Sequence, residues 1–495
     1  MNLLAQPPVS SRIRRRDAEP LYLYCIVGSL ALNMFAGYWY LLKVPLPLDR
    51  LLLLAGLVLA FLDPRLQARQ RLRWTGLHWL MAAFVLWTTW SIIVHGNISD
   101  TDRLYALTDR TLIPFTFFCL APLLFDTPRR RHLLLEMMTL AGLYLGLVGI
   151  FQMVGPHGLV FPRYILDDNL GIHPERARGP MLEAEAYGMT AAMMGFGAAL
   201  LASRTRGWWK WLGMAAAACC AGGVALSLTR TCWFGALAAA VVACLMVPTL
   251  RRRLPAVIGI ATVFGILFLV SQPDLRETLF ARLTTERSLD DRANTNDAAI
   301  RVVLANPLTG IGWGEFAHAG VDWVRQADTY PVTNVDIEVH NVPLSRAAEL
   351  GIPAALVWIA TVFLGPVRAV WASRSGDLAH WRVVGIAFLL LWILPTLGSP
   401  NPYPQPNNLL WLVTGLLAGP SLLRTNPLAS SGSGGVVGAQ ALAQPVRQEA
   451  PFWLSPARRR SGRADTRTPM RTPPGLPGLT HRVDPQAGYR EGMRY

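Results

Sequence analysis

Lysine is almost absent from this 495-residue chain: Lys43 and Lys210 are the only two among 46 basic residues. Charged residues of both signs make up only 16% of the sequence. Amphipathic helical patterns are also scarce, and a soluble protein of this length would need them to build its domains. The composition therefore excludes an ordinary soluble enzyme. The net charge of +15 does not indicate a nucleic-acid partner, because it lies mainly in the tail and in short basic loops.

The signatures of several enzyme classes are missing as well. The six cysteines form no CxxC pair and lie in or beside apolar runs, which indicates small buried side chains. The run GIGWG at 310–314 is not followed by GK[ST], so it predicts a structural turn and not a phosphate loop. The external loops show no cluster of metal ligands. We therefore expect no metal and no other cofactor.

Apolar runs long enough to cross a bilayer core of roughly 30 Å are, in contrast, abundant. They fall at 21–43, 46–62, 76–95, 111–125, 132–154, 187–202, 208–226, 232–248, 254–271, 351–371, 383–398 and 408–423. This pattern predicts an all-α polytopic membrane protein with about twelve transmembrane helices. The arginine-rich N-terminus leads into the first run without a small-residue cleavage site, so we do not expect a removable signal peptide.

Short arginine-rich loops alternate with polar or acid-containing loops along the chain. By the positive-inside rule, the basic loops and both termini face the cytoplasm and the polar loops face outside. The predicted organisation is a basic cytoplasmic N-terminus (1–20), transmembrane helices 1–9 (21–271), a large external loop (272–350), helices 10–12 (351–423) and a tail (424–495). The tail is rich in Gly, Ser, Pro and Arg, which predicts disorder.

The large external loop is expected to be partly helical. Leucines recur at every fourth residue from Leu275 to Leu283, which predicts an amphipathic helix on the membrane surface. Arg282 and Arg287 lie on its other faces. The stretch 297–305 predicts a second short helix, which ends at Asn306 before a proline.

His340 lies where that loop meets the next membrane helix. Asn341 or His340 itself can cap this helix, and Pro343 suits its first turn. The helix dipole disfavours a charged histidine at this position, which keeps the ring neutral near pH 7, as a general base requires. The alternative, commoner on physical grounds alone, is an ordinary polar residue at the membrane interface. Arg346 and Glu349 are spaced to pair within the first turns.

Arg230 lies in SLTRTCW, a very short external turn between two apolar runs. An arginine is unfavourable both at a helix N-terminus and on the external side. A bound anion would remove both costs, because a phosphate accepts hydrogen bonds from helix-start amides and from a guanidinium together. A local carboxylate partner or a simple orientation defect is an equal alternative.

Three segments resemble the O-antigen ligase/polymerase superfamily of bacterial membrane glycosyltransferases. They are SLTRTCWFG (227–235), Arg292 with the NPLTGIGWGEF that follows it, and HNVPLSRAAELGIPAAL from His340 onward. Each motif is loose, but their order, spacing and shared external placement are fairly specific. The similarity covers about residues 20–423. It implies a multi-pass enzyme of the bacterial inner (plasma) membrane, acting at the periplasmic face on an undecaprenyl-diphosphate-linked glycan among membrane lipids.

The resemblance also implies roles for residues. His340 is the candidate base of a metal-independent inverting transfer, and Arg230 and Arg292 are the candidate cations for the diphosphate. The candidates for substrate binding are Arg178, Glu183, Glu185, Tyr187, Arg282, Arg287, Asn341 and Glu349. One element departs from the family pattern: GPMLEAEAYG (179–188) replaces an asparagine-containing element, so Glu183 and Glu185 either bind sugar hydroxyls or are ordinary solvated acids.

Three functions stay open. A polymerase would extend a lipid-linked repeat into exopolysaccharide or O-antigen-type polymer, with a flippase and a chain-length regulator as partner proteins. A ligase would pass finished glycan to lipid A core or to protein. A polysaccharide transporter or flippase would have charges deep within several spans and broken helices, whereas these spans are nearly free of charge. The departure at 179–188 favours the polymerase slightly.

Overall fold

The computed structural model describes residues 19–64, 66, 70–248, 250–252, 255, 258–259, 287–325, 338–372, 376–400 and 402–425. Its longer helices, in chain order, are α1 (Leu21–Leu32), α2 (Leu48–Leu62), α3 (Gly76–Val94), α4 (Thr101–Leu124), α5 (Pro128–Val154), α6 (Ala184–Arg204), α7 (Trp208–Leu226), α8 (Arg230–Met246), α9 (Arg287–Ala305), α10 (Val342–Ala372), α11 (Leu378–Gly398) and α12 (Pro404–Leu422). Strands β1 (Gln70–Leu72) and β2 (Leu423–Thr425) pair antiparallel. Shorter helical turns include Asn33–Phe35, Trp39–Leu42 and Phe316–Ala319.

Within these residues, seven helices are long and apolar enough to cross a membrane: α3 to α7, α10 and α11. The segment Leu21–Phe35 and α8 are shorter apolar helices. The chain is thus an all-α polytopic membrane protein, as its composition predicts, although the number of twelve spans is not confirmed. The predicted span 254–271 lies almost wholly outside the described residues. The leucine pattern from Leu275 to Leu283, residues 1–18 and the tail after Thr425 lie outside them too.

Helix α12 lies inside the bundle, and nearly all of its residues are buried. A helix that is apolar on every side is stable only when other helices surround it. Trp411 packs edge-on against Phe115 and Phe118 of α4, with ring centroids 5.0 and 5.7 Å apart. A side chain at Gly415 would overlap the backbone of Phe118, so this glycine allows α12 and α4 to approach closely.

Loops that the charge pattern assigns to one side contact each other. At one end of the bundle Arg130 pairs with Glu19 at 3.0 Å, and Asp377 pairs with Arg131 at 3.0 Å and also with Arg204. Strands β1 and β2 also pair; β1 lies in the connection between α2 and α3, and β2 directly follows α12. The loops predicted to be external contact each other at the opposite end, where the candidate site lies. Successive helices therefore cross the bundle in alternating directions.

Several helices begin earlier than the apolar runs predict, and the difference is largest for α4 and α10. Helix α4 starts at Thr101, where the side chain of Asp100 accepts hydrogen bonds from two backbone amides. Helix α10 starts at Val342, so the predicted boundary between 350 and 351 falls inside a helix. In both cases the first turns are polar, and an apolar-run criterion reads polar residues as loop.

Candidate functional site

A backbone joint holds the glycine-rich loop against α10. The helix is interrupted at Gly351, whose φ of 85° and ψ of 163° are not helical. Three backbone hydrogen bonds join loop and helix: Ile311 N to Ala348 O at 3.0 Å, Gly312 N to Glu349 O at 2.9 Å, and Ile352 N to Pro307 O at 2.8 Å. A side chain at Gly351 would overlap the backbone of Leu308. The run at 310–314 is therefore a docking turn, which agrees with the predicted structural role.

The start of α10 positions His340. Asn341 is the N-cap, and its side-chain oxygen accepts a hydrogen bond from Leu344 N at 3.0 Å, as expected from the sequence. On the other side Val339 is buried in a small core formed with α9. The half-buried His340 thus lies between a buried anchor and a capped helix start.

An ion pair from α4 holds the residue two positions before His340. Arg110 donates to both carboxylate oxygens of Glu338, at 2.6 and 3.3 Å. A two-pronged contact of this kind fixes orientation as well as distance. Arg110 lies in the π-helical turn Thr108–Leu112, and such turns occur frequently at functional sites. Neither residue was a candidate from the sequence.

Glu349 is buried and does not face solvent. Its carboxylate accepts from Arg346 at 3.4 Å, the pair predicted from their spacing. The guanidinium of Arg346 lies over the ring of Trp313, 4.5 Å from its centroid. In this geometry Glu349 stabilises the first turns of α10, and its role in substrate binding stays a prediction.

A second group of polar side chains surrounds the start of α8. Arg230 is the first residue of α8 and is half-buried. The next residue, Thr231, donates to one oxygen of Glu185 at 2.6 Å, and Tyr403 donates to the other at 3.2 Å. The starts of α6, α8 and α12 therefore meet around one buried carboxylate. The polar run NPYPQPNN (401–408) is the sequence feature that could have indicated Tyr403 as a site residue. It reads as an ordinary loop because an apolar run follows it.

Glu183 lies beside Glu185 in this second group. It is the N-cap of α6 and accepts a hydrogen bond from Glu185 N at 3.2 Å. Burial raises the pKa of Glu183 to about 7. Burial also raises the pKa of Tyr403 well above its usual range, and the charges of Glu185 and Glu183 add to that rise. A carboxyl that changes charge near neutral pH in the same group as this phenol is a functional candidate.

Polar contacts link the two groups at the same end of the bundle. The links are Arg50 to Asp109 at 2.6 Å, Trp39 to Asp49 at 2.7 Å, Asn33 to Asp49 at 2.9 Å and Asn408 to Asn33 at 3.0 Å. Asp109 is next to Arg110, and Asn408 lies in the first turns of α12, after Tyr403. These contacts place His340 and Arg230 at the same end of the bundle.

Arg178 and Tyr187 organise the loop before α6, and their role in substrate binding stays a prediction. Both side chains are fully buried. Arg178 donates to three backbone carbonyls within 165–170, including Asp167 O at 2.6 Å. Tyr187 donates to Leu145 O at 3.0 Å. Both terminal nitrogens of the Arg178 guanidinium and the hydroxyl of Tyr187 thus donate inside the protein, as buried polar groups usually do.

The remaining arginine candidates lie on or before α9. Arg292 is half-buried in the second turn of this helix. Arg287 is its first residue, and the structure does not describe its side chain. Arg282 lies outside the described residues. Of the candidate cations for a diphosphate, Arg230 and Arg292 are thus the two whose side chains the structure describes.

A comparison with known families covers the centre of this site. Residues 189–359 match the family model described as O-antigen ligase. This segment belongs to the O-antigen ligase-like superfamily. The match supports the resemblance that the motifs indicate, and the chain around this segment is a multi-pass membrane protein. No curated protein sequence matches the chain significantly.

The O-antigen ligase segment runs from α6 to α10 and contains Arg230, Arg292 and His340. Arg110 and Tyr403, which contact the two polar groups, lie on helices outside it. Members of this superfamily act on lipid-linked glycans, which matches a site at the membrane end of a helix bundle. The catalytic candidates thus lie within the family segment, but some of the residues that contact their polar groups lie outside it.

Proposed function

We propose that this protein is a glycosyltransferase that joins undecaprenyl-diphosphate-linked oligosaccharide repeats into an exopolysaccharide or O-antigen-type polymer. It does so at the periplasmic face of the bacterial inner membrane. The observation that carries the proposal is the position of His340, directly before the capped start of α10 and at the end of the bundle that also holds Arg230. The family match supports ligase/polymerase chemistry in general.

In the proposed reaction, His340 removes the proton from an acceptor sugar hydroxyl while that oxygen attacks the anomeric carbon of the donor. The bond between this carbon and the diphosphate oxygen breaks, and the polyprenyl diphosphate leaves with the electron pair. The configuration at the anomeric carbon is inverted. Arg230, Arg292 and the backbone amides of the first turn of α8 stabilise the charge on the leaving group, a task that needs no metal.

Glu183 and Glu185 are proposed to bind sugar hydroxyls near Arg230. Glu185 already accepts hydrogen bonds from Thr231 and Tyr403 at the start of α8, which fixes its carboxylate. Glu183 is only partly buried and stands two residues before Glu185 in the same group. Asn341 belongs to the cap of α10, so its contribution to substrate binding is proposed to act through His340.

A ligase is the second candidate, because the matching family model carries that description. A ligase would use the same base and the same cations and would differ only in its acceptor, which would be lipid A core or a protein. A transporter is the third candidate and would move the lipid-linked glycan without forming a bond. The three functions therefore differ in their products.

Purified protein in liposomes containing only undecaprenyl-diphosphate-linked repeats tests the choice. A polymerase yields a ladder of products with increasing repeat number and releases polyprenyl diphosphate. A ligase yields product only after lipid A core or an acceptor protein is added, with one glycan per acceptor. Absence of a new glycosidic bond under both conditions would contradict the proposed chemistry.

His340→Ala tests the base. The rate should fall by about 10²–10⁴ at unchanged protein abundance, the usual effect of removing a general base. His318→Ala is the matched control, because His318 is an exposed histidine in the same external loop and should be dispensable. Wild-type polymer from His340→Ala would refute the assignment.

A further inference from the structure

Helix α9 exposes an apolar stripe on the side opposite to its packed face. Leu304 is 75% exposed, Leu308 just beyond the helix end is 68% exposed, and Ile300 is 46% exposed. The packed face contributes to a small core that contains Ala298, Ala299, Val302, Phe316, Val339 and Ala348. The stripe is therefore not needed for packing α9 onto the bundle. Leaving it in water costs about 25 cal/mol for each Å² of apolar surface.

The stripe continues onto the membrane-facing side of α10. Ile352 N donates to Pro307 O at 2.8 Å, which places Leu308 beside the first turn of α10 after Gly351. Beyond this joint, Leu356 and Phe363 are exposed along α10. Since α10 is long and apolar enough to span the membrane, its exposed apolar side chains face lipid. One apolar surface thus runs from α9 to a transmembrane helix.

Among the side chains of α9 that the structure describes, 292–305, the large exposed apolar ones lie toward the C-terminus. Ala293 and Asp297 are exposed seven and three residues before Ile300. At 3.6 residues per turn these positions share a face with Ile300 and Leu304. From Ala293 onward, the face therefore passes from a small and an acidic residue to strongly apolar residues at the joint with α10. A helix in this arrangement suits an inclined position at a bilayer surface.

We propose that the C-terminal half of α9 is inserted into the outer leaflet, with Ile300, Leu304 and Leu308 among the lipid acyl chains. The N-terminal half then lies at the level of the headgroups. Arg292 precedes Ile300 by about 12 Å along the helix axis, at 1.5 Å per residue. This places Arg292 at the depth of a lipid-linked diphosphate, a consequence that rests on the proposed function, whereas the insertion itself does not.

Photocrosslinking of the full-length chain tests the insertion. Leu304 is replaced by benzoylphenylalanine, and the protein is irradiated in liposomes that contain a phospholipid with an alkyne tag on its acyl chain. The same replacement at Leu356 is the lipid-facing reference, and at Ala293 it is the reference for the outer half of the same face. Ala293 suits this purpose because it lies about 16 Å before Leu304 along the helix axis.

We expect lipid adducts at Leu304 several-fold above those at Ala293 and close to those at Leu356. Adducts at Leu304 no more abundant than those at Ala293, or adducts to protein instead of lipid, would overturn the proposal.

A separate measurement tests the depth of Arg292. The double variant Ile300→Ser/Leu304→Ser leaves the packed face of α9 intact, so the protein should fold. The KM for the lipid-linked donor should rise several-fold with kcat unchanged, because Arg292 is no longer held at headgroup depth. An unchanged KM would overturn this consequence. Lipid adducts at Leu304 in a chain without transferase activity would sustain the insertion and refute the proposed function.

Discussion

The guanidinium of Arg110 donates to the carboxylate of Glu338 at 2.6 Å, and Glu338 stands two residues before His340. Arg110 belongs to α4, outside the O-antigen ligase segment. The two neighbours of His340 are also held in place, because Val339 is buried and Asn341 caps α10. The position of the candidate base therefore depends on a contact between parts of the chain that are 228 residues apart.

Arg110→Glu should lower kcat without unfolding the protein. A misplacement that costs about 1.4 kcal/mol in the transition state lowers the rate about tenfold. The double variant Arg110→Glu/Glu338→Arg restores the ion pair in reverse and should recover most of the activity. Arg204→Glu, which breaks the Arg204–Asp377 pair at the opposite end of the bundle, is the control and should leave kcat unchanged. A double variant no better than Arg110→Glu alone would contradict this positioning role.

The sequence predicts the parts of this site that depend on near neighbours. The cap at Asn341 and the pair between Arg346 and Glu349 involve residues within four positions, so helix geometry alone predicts them. Hydrophobic periodicity does not tell which loop meets which. The contacts of Arg110 with Glu338 and of Tyr403 with Glu185 join residues 228 and 218 positions apart, and only the folded bundle brings them together.

The burial of Arg178 is a feature that the sequence does not predict. Charged loop residues are mostly exposed. Arg178 is instead surrounded by carbonyls of its own loop, a geometry that no local pattern encodes. The apolar run that begins at 351 misses the first turns of α10, although the cap at Asn341 predicts the start of the helix correctly. Arg346 and Glu349 lower the apolar character of its first turns, although they pair with each other there.

Arg230→Lys separates charge from geometry at the start of α8. Lysine keeps the positive charge but loses the planar fork that binds two phosphate oxygens together. We expect an initial rate with the lipid-linked donor between that of the wild type and that of Arg230→Ala, which should be about 10²–10³-fold slower. Arg206→Lys, an exposed arginine at the opposite end of the bundle, should be neutral. Full activity of Arg230→Lys would show that Arg230 contributes only its positive charge.

Gly351→Ala should detach the glycine-rich loop from α10. Gly351 has a φ of 85°, and a Cβ there would overlap the backbone of Leu308. Gly37→Ala is a matched control, because Gly37 has a φ of 84° with open space around its Cβ position. Both variants carry backbone strain of about 1–3 kcal/mol, but only Gly351→Ala adds the clash. Limited proteolysis should cleave the loop around 306–325 faster in Gly351→Ala alone, and equal cleavage in both variants would contradict the docking role.

Glu183 should give the fold a pH dependence near neutrality. Burial raises its pKa from 4.5 to about 7 in the folded protein, so the folded state binds this proton more tightly than the unfolded state. The resulting stabilisation is complete below the unfolded pKa and is lost as the pH rises through about 7. The Tm of the wild type should therefore fall from about pH 5 to about pH 8, and the Tm of Glu183→Gln should fall less.

Asp168→Asn supplies the control for that experiment, because Asp168 is an exposed acid in the same loop and its removal should preserve the wild-type slope. The same titration should appear in activity. If Glu183 binds acceptor hydroxyls, the KM for the acceptor changes through about pH 7 in the wild type, where the carboxyl gains its charge, and stays constant in Glu183→Gln. A Glu183→Gln protein that keeps the wild-type slope in Tm would show that another group titrates there, because a neutral amide at position 183 has no proton to lose.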